Sequence, residues 1–270
     1  TYAQQAIAYE PSNQLYHAAI EYLSRIQTAG KTQVYASPEG FAAFIRGGGN
    51  VVLYQNTSAT LSTIYGEYAE VEVLDIGVGD GLAAVPALTA NVTHMTLVEL
   101  STPMLTSIIE ELNQQNRRHA AYNMPIQDFV AAHPEGHWTL AQATFSLQSL
   151  QPSERHAILH WLADHCDRLA VVEFDVPNFS DQFGADRVRY VLERYQRGIA
   201  EYPDQAEVIQ GFLMPVMFGY FDRSVARTNY EQPIADWQHQ LETAGFSAVS
   251  TRNVAPYWWA DAWLLDAHAG

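Results

Sequence analysis

Apolar and polar positions along this chain follow two different periods. From residue 71 onward, short apolar, β-branched runs alternate with longer segments whose apolar residues recur every three to four positions. The first kind reads as buried strands and the second as amphipathic helices. The pattern predicts strand 71–76, helix 82–90, strand 94–99, helix 102–116 and a short strand near 119–122. Strand 139–144, helix 153–165 and strand 168–174 continue it. Alternation of this kind builds an α/β fold, a doubly wound and mainly parallel sheet with helices on both faces. Pro233–Ala244 predicts a further helix stopped at Gly245, and Ala248–Asn253 and Trp258–Ala267 predict two closing strands around Pro256.

Residues 1–68 carry helical spacing instead. Ser12-Asn-Gln opens a run with Leu15, Ala18, Ala19, Tyr22 and Leu23 on one side. Ser37-Pro38 has the form of a cap followed by proline in the first turn. The glycines of Arg46-Gly-Gly-Gly-Asn50 break the next helix, and Val51–Tyr68 resumes it with Leu53, Leu61, Ile64 and Tyr65 on one face. Residues 177–231 form too long a connection to be a simple loop. They hold a helix near 184–200 and the aromatic run Met214-Pro-Val-Met217-Phe218-Gly-Tyr220-Phe221-Asp222. Ligands of open α/β sheets sit beyond the carboxyl ends of the strands, where this insertion starts. The expected organisation is therefore an N-terminal helical lid, 1–68, and a core, 69–270, carrying a substrate-lid insertion at 177–231.

One segment carries most of the chemistry. Val71-Glu-Val-Leu-Asp75-Ile-Gly77-Val-Gly79-Asp-Gly81 is a strand that ends in a carboxylate and falls into three alternate glycines. Such a turn lets a ligand approach bare backbone N–H groups. The next apolar run, His94-Met-Thr-Leu-Val-Glu99, also ends in a carboxylate, which suits a grip on ribose hydroxyls. A dinucleotide site calls for Gly-x-Gly-x-x-Gly, and here the third glycine comes one residue early. A buried acid beside the turn repels a diphosphate and favours a cationic amino-acid end and a sulfonium.

These residues resemble the first motif of the class I S-adenosylmethionine-dependent methyltransferases, acid-x-Gly-x-Gly-x-Gly. The resemblance implies a Rossmann-like seven-stranded sheet closed by a C-terminal antiparallel hairpin. It also implies S-adenosyl-L-methionine as cofactor, with S-adenosyl-L-homocysteine as product. Asp75, Gly77, Gly79 and Gly81 match the first motif, and Glu99 matches the ribose-binding acid. Met124-Pro-Ile-Gln127-Asp128-Phe matches the segment whose acid meets the adenine amino group, and Thr144 stands at the end of the fourth strand beside the cofactor. Ser146 and Gln148 fall where family members meet the methyl acceptor. The chain departs from the family where Thr139 replaces an aspartate and where Gln148-Ser149 replaces a His-His pair. Gly47–Tyr54 resembles the segment before the core in bacterial small-molecule methyltransferases, including ones that methylate carbon 3 of an indole ring.

Composition changes the picture mainly for partners. Apolar residues make up 48% and charged residues 16%, so the chain is not disordered. The single cysteine, Cys166, excludes an internal disulfide and suits a reducing compartment. No run approaches about 18 uninterrupted apolar residues and no basic-then-apolar leader opens the sequence, so a cytoplasmic protein without a membrane partner is expected. A net charge of −16 leaves little surface for phosphates, which argues against nucleic acid and anionic membranes. Arg187, Arg189, Arg194 and Arg197 share a predicted helix, where they read as a solvated face paired with Asp186 and Glu193. A small aromatic molecule is the expected partner, and a homodimer is compatible with the sequence.

Candidate proton acceptors are Glu173 and Asp175, on one face of the fifth strand's end, Tyr220 or Asp222 in the insertion, and Tyr54 after the triple glycine. Either carboxylate at that strand end could instead cap the following turn. Met217, Phe218 and Phe221 are expected to form an apolar acceptor wall. His156 and His160 have helical metal-ligand spacing but no accompanying His-Glu-x-x-His, and no metal is expected. The leading function is methyl transfer to a small aromatic acceptor, with an indole ring carbon as one target and O- or N-methylation as alternatives. An NAD-dependent oxidoreductase and a non-catalytic S-adenosylmethionine-binding module are the competing classes.

Overall fold

The computed structural model describes residues 2–30 and 37–270. Helices α1 (Tyr2–Tyr9), α2 (Gln14–Ala29), α3 (Pro38–Ile45) and α4 (Asn50–Gly66) precede β1 (Val71–Ile76). Then follow α5 (Ala84–Ala87), β2 (Val92–Val98), α6 (Thr102–Gln114), β3 (His119–Tyr122), α7 (Ile126–Ala132), β4 (Trp138–Thr144), α8 (Pro152–His165) and β5 (Cys166–Phe174). Beyond β5 lie α9 (Ala185–Ala200), the single turn α10 (Ala206–Val208), a π-helical stretch Ile209–Leu213 and α11 (Met214–Gly219). Helix α12 (Ile234–Thr243), β6 (Phe246–Ala255) and β7 (Ala262–Ala269) close the chain.

The seven strands form one sheet in the order β3-β2-β1-β4-β5-β7-β6. The first five run parallel, whereas β7 is antiparallel to both β5 and β6. This is the doubly wound, mainly parallel sheet with a closing hairpin that the hydrophobic pattern and the resemblance lead one to expect. The order reverses between β1 and β4, which opens a crevice at their carboxyl ends.

The chain divides into two compact units. A helical unit takes Thr1–Val52, Asn178–Arg227 and Tyr257–Ala260, and a sheet unit takes Leu53–Pro177, Thr228–Pro256 and Asp261–Gly270. The division cuts α4 rather than falling after it. Leu53, Leu61, Ile64 and Tyr65 are all buried, so most of that helix belongs with the sheet.

In the sheet unit, Leu74, Phe129, Ala141, Leu159, Leu162 and Trp237 belong to one buried cluster between strands and helices. Arg168 on β5 is nearly buried and is held by a two-pronged bond to Asp266 on β7 (2.7 Å each) and a 2.6 Å bond to Glu67 after α4. Each of its three nitrogens donates one bond in that arrangement, which offsets the cost of placing a guanidinium inside a sheet. Arg155 on α8 is fully buried over the Trp237 ring at 4.1 Å. Its guanidinium donates to Gln240 Oε1, Gln232 Oε1 and the Tyr230 carbonyl, tying the segment before α12 to the sheet unit.

The helical unit is built on aromatic rings. Tyr202 is fully buried, and its one hydroxyl proton is shared between the carbonyls of Phe44 (2.8 Å) and Gly47 (3.0 Å) while its oxygen accepts from Asn50 Nδ2. A Cβ on Gly48 (φ +50°) would lie 2.8 Å from that Tyr202 ring, and the Gly49 N–H donates to Glu201. The triple glycine is thus a turn packed flat against Tyr202 and Glu201. The expected Ser37 cap is present, accepting from the Gly40 N–H with Pro38 in the first turn, and α2 is capped by Asn13, which accepts from the Leu15 N–H.

Several expected elements differ. The helix over 82–90 shrinks to Ala84–Ala87, because Pro86 lacks a donor and Leu88 turns extended (ψ 122°). The helix over 102–116 ends at Gln114, before Asn116 (φ 54°). The second strand begins at Val92 rather than 94. The closing strands shift to Phe246–Ala255 and Ala262–Ala269, because Tyr257, Trp258 and Trp259 leave the sheet and join the aromatic core of the helical unit. Arg187 is not part of a solvated face. It is buried, donates to the Gln182 carbonyl, and lies 5.3 Å from the Tyr220 ring. Arg189 keeps a long, exposed contact with Asp186, at 3.7 Å.

Gly198 in α9 faces the Trp258 ring, where an added Cβ would approach ring carbons to 2.8 Å. Alanine ordinarily improves a helix interior by roughly 1 kcal/mol. Here Gly198→Ala is expected to destabilise the protein by about 1–3 kcal/mol, the cost of overpacking. Chemical denaturation of the two proteins checks this, and a variant more stable than the parent would contradict the packing.

Candidate functional site

The site grows from the register of β1 against β4. Asp75 pairs laterally with Gln142, so both side chains fall at one level of the crevice. Gln142 Nε2 donates to Asp75 Oδ2 at 2.6 Å, and the Tyr65 hydroxyl donates to Gln142 Oε1 at 2.6 Å. Asp75 Oδ1 is buried and has no hydrogen-bond partner among the described residues. Burial above all, opposed by the Gln142 bond and reinforced by the negative charge of Glu99, raises the Asp75 carboxyl to about 7.

After β1 the chain turns over Gly77, Gly79 and Gly81, all in the left-handed region at φ +68°, +62° and +86°. Their roles differ. A Cβ on Gly77 would lie 2.5 Å from Ser146 Cβ, and one on Gly81 would meet Val85 and Ile108 at 2.8–2.9 Å. Those two permit close packing of the turn. A Cβ on Gly79 would meet nothing within 4 Å, so on that side the turn leaves room for a ligand.

Glu99 follows β2 and is fixed from two sides. Its Oε2 accepts from the Gly79 N–H (2.9 Å) and its Oε1 from the Ser101 N–H (2.7 Å). Each oxygen keeps a further lone pair, enough to receive two vicinal hydroxyls. Asp128 is exposed in the first turn of α7, with Gln127 half-buried beside it. It is not the cap of that helix, since Pro125 occupies the cap position. Thr144 is half-buried at the end of β4.

At the carboxyl ends of β4 and β5, Ser146 donates to the Ile76 carbonyl at 2.6 Å, which locks the β4 exit onto the glycine turn. Glu173 is buried and accepts from the Gln148 N–H at 3.1 Å through one oxygen. Its other oxygen and Gln148 Oε1 are both buried without a hydrogen-bond partner among the described residues. Burial pushes the Glu173 carboxyl up to about 8, against the lowering influence of the Gln148 N–H and of Arg155. Asp175 instead closes a helix end, its Oδ1 accepting from the Ile234 N–H (2.9 Å) at the start of α12. Tyr54 meets the edge of Phe145 at 6.1 Å, and Phe145 stacks on Phe174 at 4.7 Å. Phe145 holds φ +55°, an uncommon backbone state for an aromatic residue.

In the helical unit, Met217, Phe218 and Phe221 line one cavity of about 390 Å³ together with Leu15, Tyr16 and Arg223. Met217 is buried, and Phe218 stacks on Tyr22 at 5.2 Å, so both also serve as core. Tyr220 lies flat on Trp259 at 5.2 Å and beneath the Arg187 guanidinium. His160 Nδ1 bonds the Ala244 carbonyl, and no cluster of His, Cys, Asp or Glu suited to a metal occurs among the described residues. No described helix is long and apolar enough to cross a membrane. Tyr65, Gln142 and Phe145 are site residues that periodicity does not reveal. A glutamine in the middle of the apolar strand Trp138–Thr144 is the one signal that singles out any of them.

No known family profile and no curated protein matches the chain. Solved structures do. One is the magnesium protoporphyrin IX methyltransferase of Synechocystis PCC 6803 with bound SAH, at 15% identity over 82% of this chain and 84% of that one, TM-score 0.54. Another is the 1,6-didemethyltoxoflavin-N1-methyltransferase of Burkholderia thailandensis with bound 1,6-didemethyltoxoflavin and S-adenosylhomocysteine, at 14% identity over 96% and 90%, TM-score 0.52. The [4+2]-cyclase SpnF is also similar, at 12% identity over 77% and 80%, TM-score 0.51. The chain thus has the fold of the class I S-adenosylmethionine-dependent methyltransferases, a fold that also carries other chemistry.

Glu173 gives the site a pH signature. Its folded carboxyl titrates near 8 against an ordinary 4.5, so the folded state binds the extra proton between those values. The stability this contributes is complete below about pH 4 and is lost as pH rises through 8. Glu173→Gln, which keeps the neutral form at every pH, is expected to melt above the parent at pH 9 and level with it at pH 5. Thermal unfolding at the two values checks this, and an equal difference at both would contradict it.

Proposed function

We propose that the chain is an S-adenosylmethionine-dependent methyltransferase acting on a small aromatic acceptor. The observation that supports this best is the pair of acids at the β1 and β2 tips. Glu99 is held by two backbone N–H groups with lone pairs to spare, and Asp75, two residues before the glycine turn, keeps a buried oxygen unpartnered among the described residues. An unpartnered buried carboxylate oxygen suits a cationic ligand end and opposes a diphosphate, which counts against the NAD reading.

In this reading Glu99 receives the ribose hydroxyls, Asp75 the cationic amino-acid end, and Gln127 and Asp128 the adenine edge. Gly77, Gly79, Gly81 and Thr144 frame the cofactor's path. The cofactor supplies an already electrophilic methyl group, which leaves the protein to align the reactants, exclude water and remove a proton where the acceptor carries one. Glu173 is the proton acceptor proposed, with one oxygen buried and unpartnered among the described residues at the carboxyl end of β5, and it takes a proton only in its ionised form, which grows as pH rises through about 8. Gln148 and Ser146 belong to the acceptor side, and the Tyr54, Phe145 and Phe174 rings offer a stacking surface. Asp175 is assigned a capping role. Tyr220 is assigned to shaping the helical unit, since its ring stacks on Trp259 and lies under the Arg187 guanidinium. An electron-rich ring carbon such as indole carbon 3 is the acceptor atom favoured here.

Two measurements test the proposal. Glu99→Ala is expected to weaken S-adenosylmethionine binding by about 1.5–3 kcal/mol, the range for hydrogen bonds to a charged group. Calorimetric titration reads this, and unchanged affinity would remove Glu99 from the site. Methyl-labelled cofactor incubated with indoles, phenols and amines is expected to label an aromatic acceptor. Cofactor binding without any labelling would favour a non-catalytic binder.

A further inference from the structure

The chain Tyr65–Gln142–Asp75 is buried along its whole length, with Tyr65 and Gln142 at 0% and Asp75 at 1% exposure. Its two hydrogen bonds are both 2.6 Å and run in one direction, from the phenol to the amide oxygen and from the amide N–H to the carboxylate. Nothing in the glycine motif calls for it. We propose that Tyr65 is a positioning residue for cofactor capture: its hydroxyl fixes the Gln142 amide so that the donor side faces Asp75 and favours the ionised carboxylate over the neutral acid. The part concerning capture rests on the reading of the glycine turn as the cofactor site.

The argument is one of hydrogen-bond direction. A side-chain amide has one accepting and one donating end, so what its oxygen receives decides what its nitrogen offers. A phenol is a better donor than acceptor, and burial together with the charge of Asp75 keeps Tyr65 protonated. The relay therefore delivers an N–H to Asp75. The reverse direction, from a protonated Asp75 through Gln142 Oε1 to the phenol oxygen, is the arrangement of the neutral acid. The ionisable groups bearing on Asp75 are Tyr65 from α4 and Glu99 beyond β2, and the negative charge of Glu99 opposes ionisation. The Gln142 donor opposes that influence and the cost of burial, and the carboxyl rests near neutrality. Asp75 is thus poised where loss of one hydroxyl changes its charge.

The test uses the full chain with carbon-13-labelled aspartate carboxyls, Asp75 being identified by the signal lost in Asp75→Asn. Tyr65→Phe is expected to raise the Asp75 titration midpoint by about one unit, the equivalent of one hydrogen bond between neutral groups. Gln142→Met, which removes the donor at similar volume, is expected to raise it at least as far and serves if Tyr65→Phe does not fold. The pH at which S-adenosylmethionine affinity falls to half its plateau is expected to move up with the midpoint. An unmoved midpoint in either folded variant overturns the relay. A moved midpoint in a chain that binds no S-adenosylmethionine at any pH overturns the reading of the turn as its site.

Discussion

A carboxylate buried between two parallel strands is the constraint from which the rest of this structure follows. Asp75 sits at the level of Gln142 in the β1–β4 register, where the strand order reverses and the crevice opens. An isolated buried charge costs several kcal/mol, so the surroundings must either satisfy it or leave it neutral. Here the Gln142 amide satisfies one oxygen and the other remains unpartnered among the described residues. The backbone just beyond turns through left-handed glycines, and two of them also let Ser146 and Ile108 pack against the turn. The same few residues thus join sheet topology, local backbone conformation and electrostatics.

Glu99 shows how rigidity and binding capacity coexist. Its carboxylate is fastened by the N–H groups of Gly79 and Ser101, so it is oriented before any ligand arrives. Preorganisation of that kind lowers the ordering cost of binding. Glu173, at the carboxyl end of β5, is the opposite case: it is buried and incompletely partnered among the described residues, with a carboxyl raised to about 8. Two acids near the edge of one sheet therefore have different properties for physical reasons that lie in their neighbours, a division suited to binding at one and proton transfer at the other.

Much of the sheet was legible because its signals are local. The strand Val71–Ile76 and the strand His119–Tyr122 coincide with their apolar runs, and the Ser37-Pro38 cap follows from residue chemistry within one turn. What was not legible depends on residues distant in sequence. Tyr65, Asp75 and Gln142 meet only through strand register and the docking of α4. The strand-like run from Trp258 reads as sheet by composition, yet those rings fill the aromatic core of the helical unit. Arg187 on a charged helix looks solvated until Tyr220 and the Gln182 carbonyl are known to surround it. Pro86 carried a local warning against a long helix that the alanine-rich run around it obscured.

The most direct measurement is a crystal structure of the chain grown with S-adenosyl-L-homocysteine. The account predicts the ribose hydroxyls on Glu99, the ammonium on the side of Asp75 Oδ1 and the sulfur passing over Gly79. Density for the ligand away from those two acids, or a crevice that accepts a dinucleotide diphosphate at Gly79 instead, would contradict it.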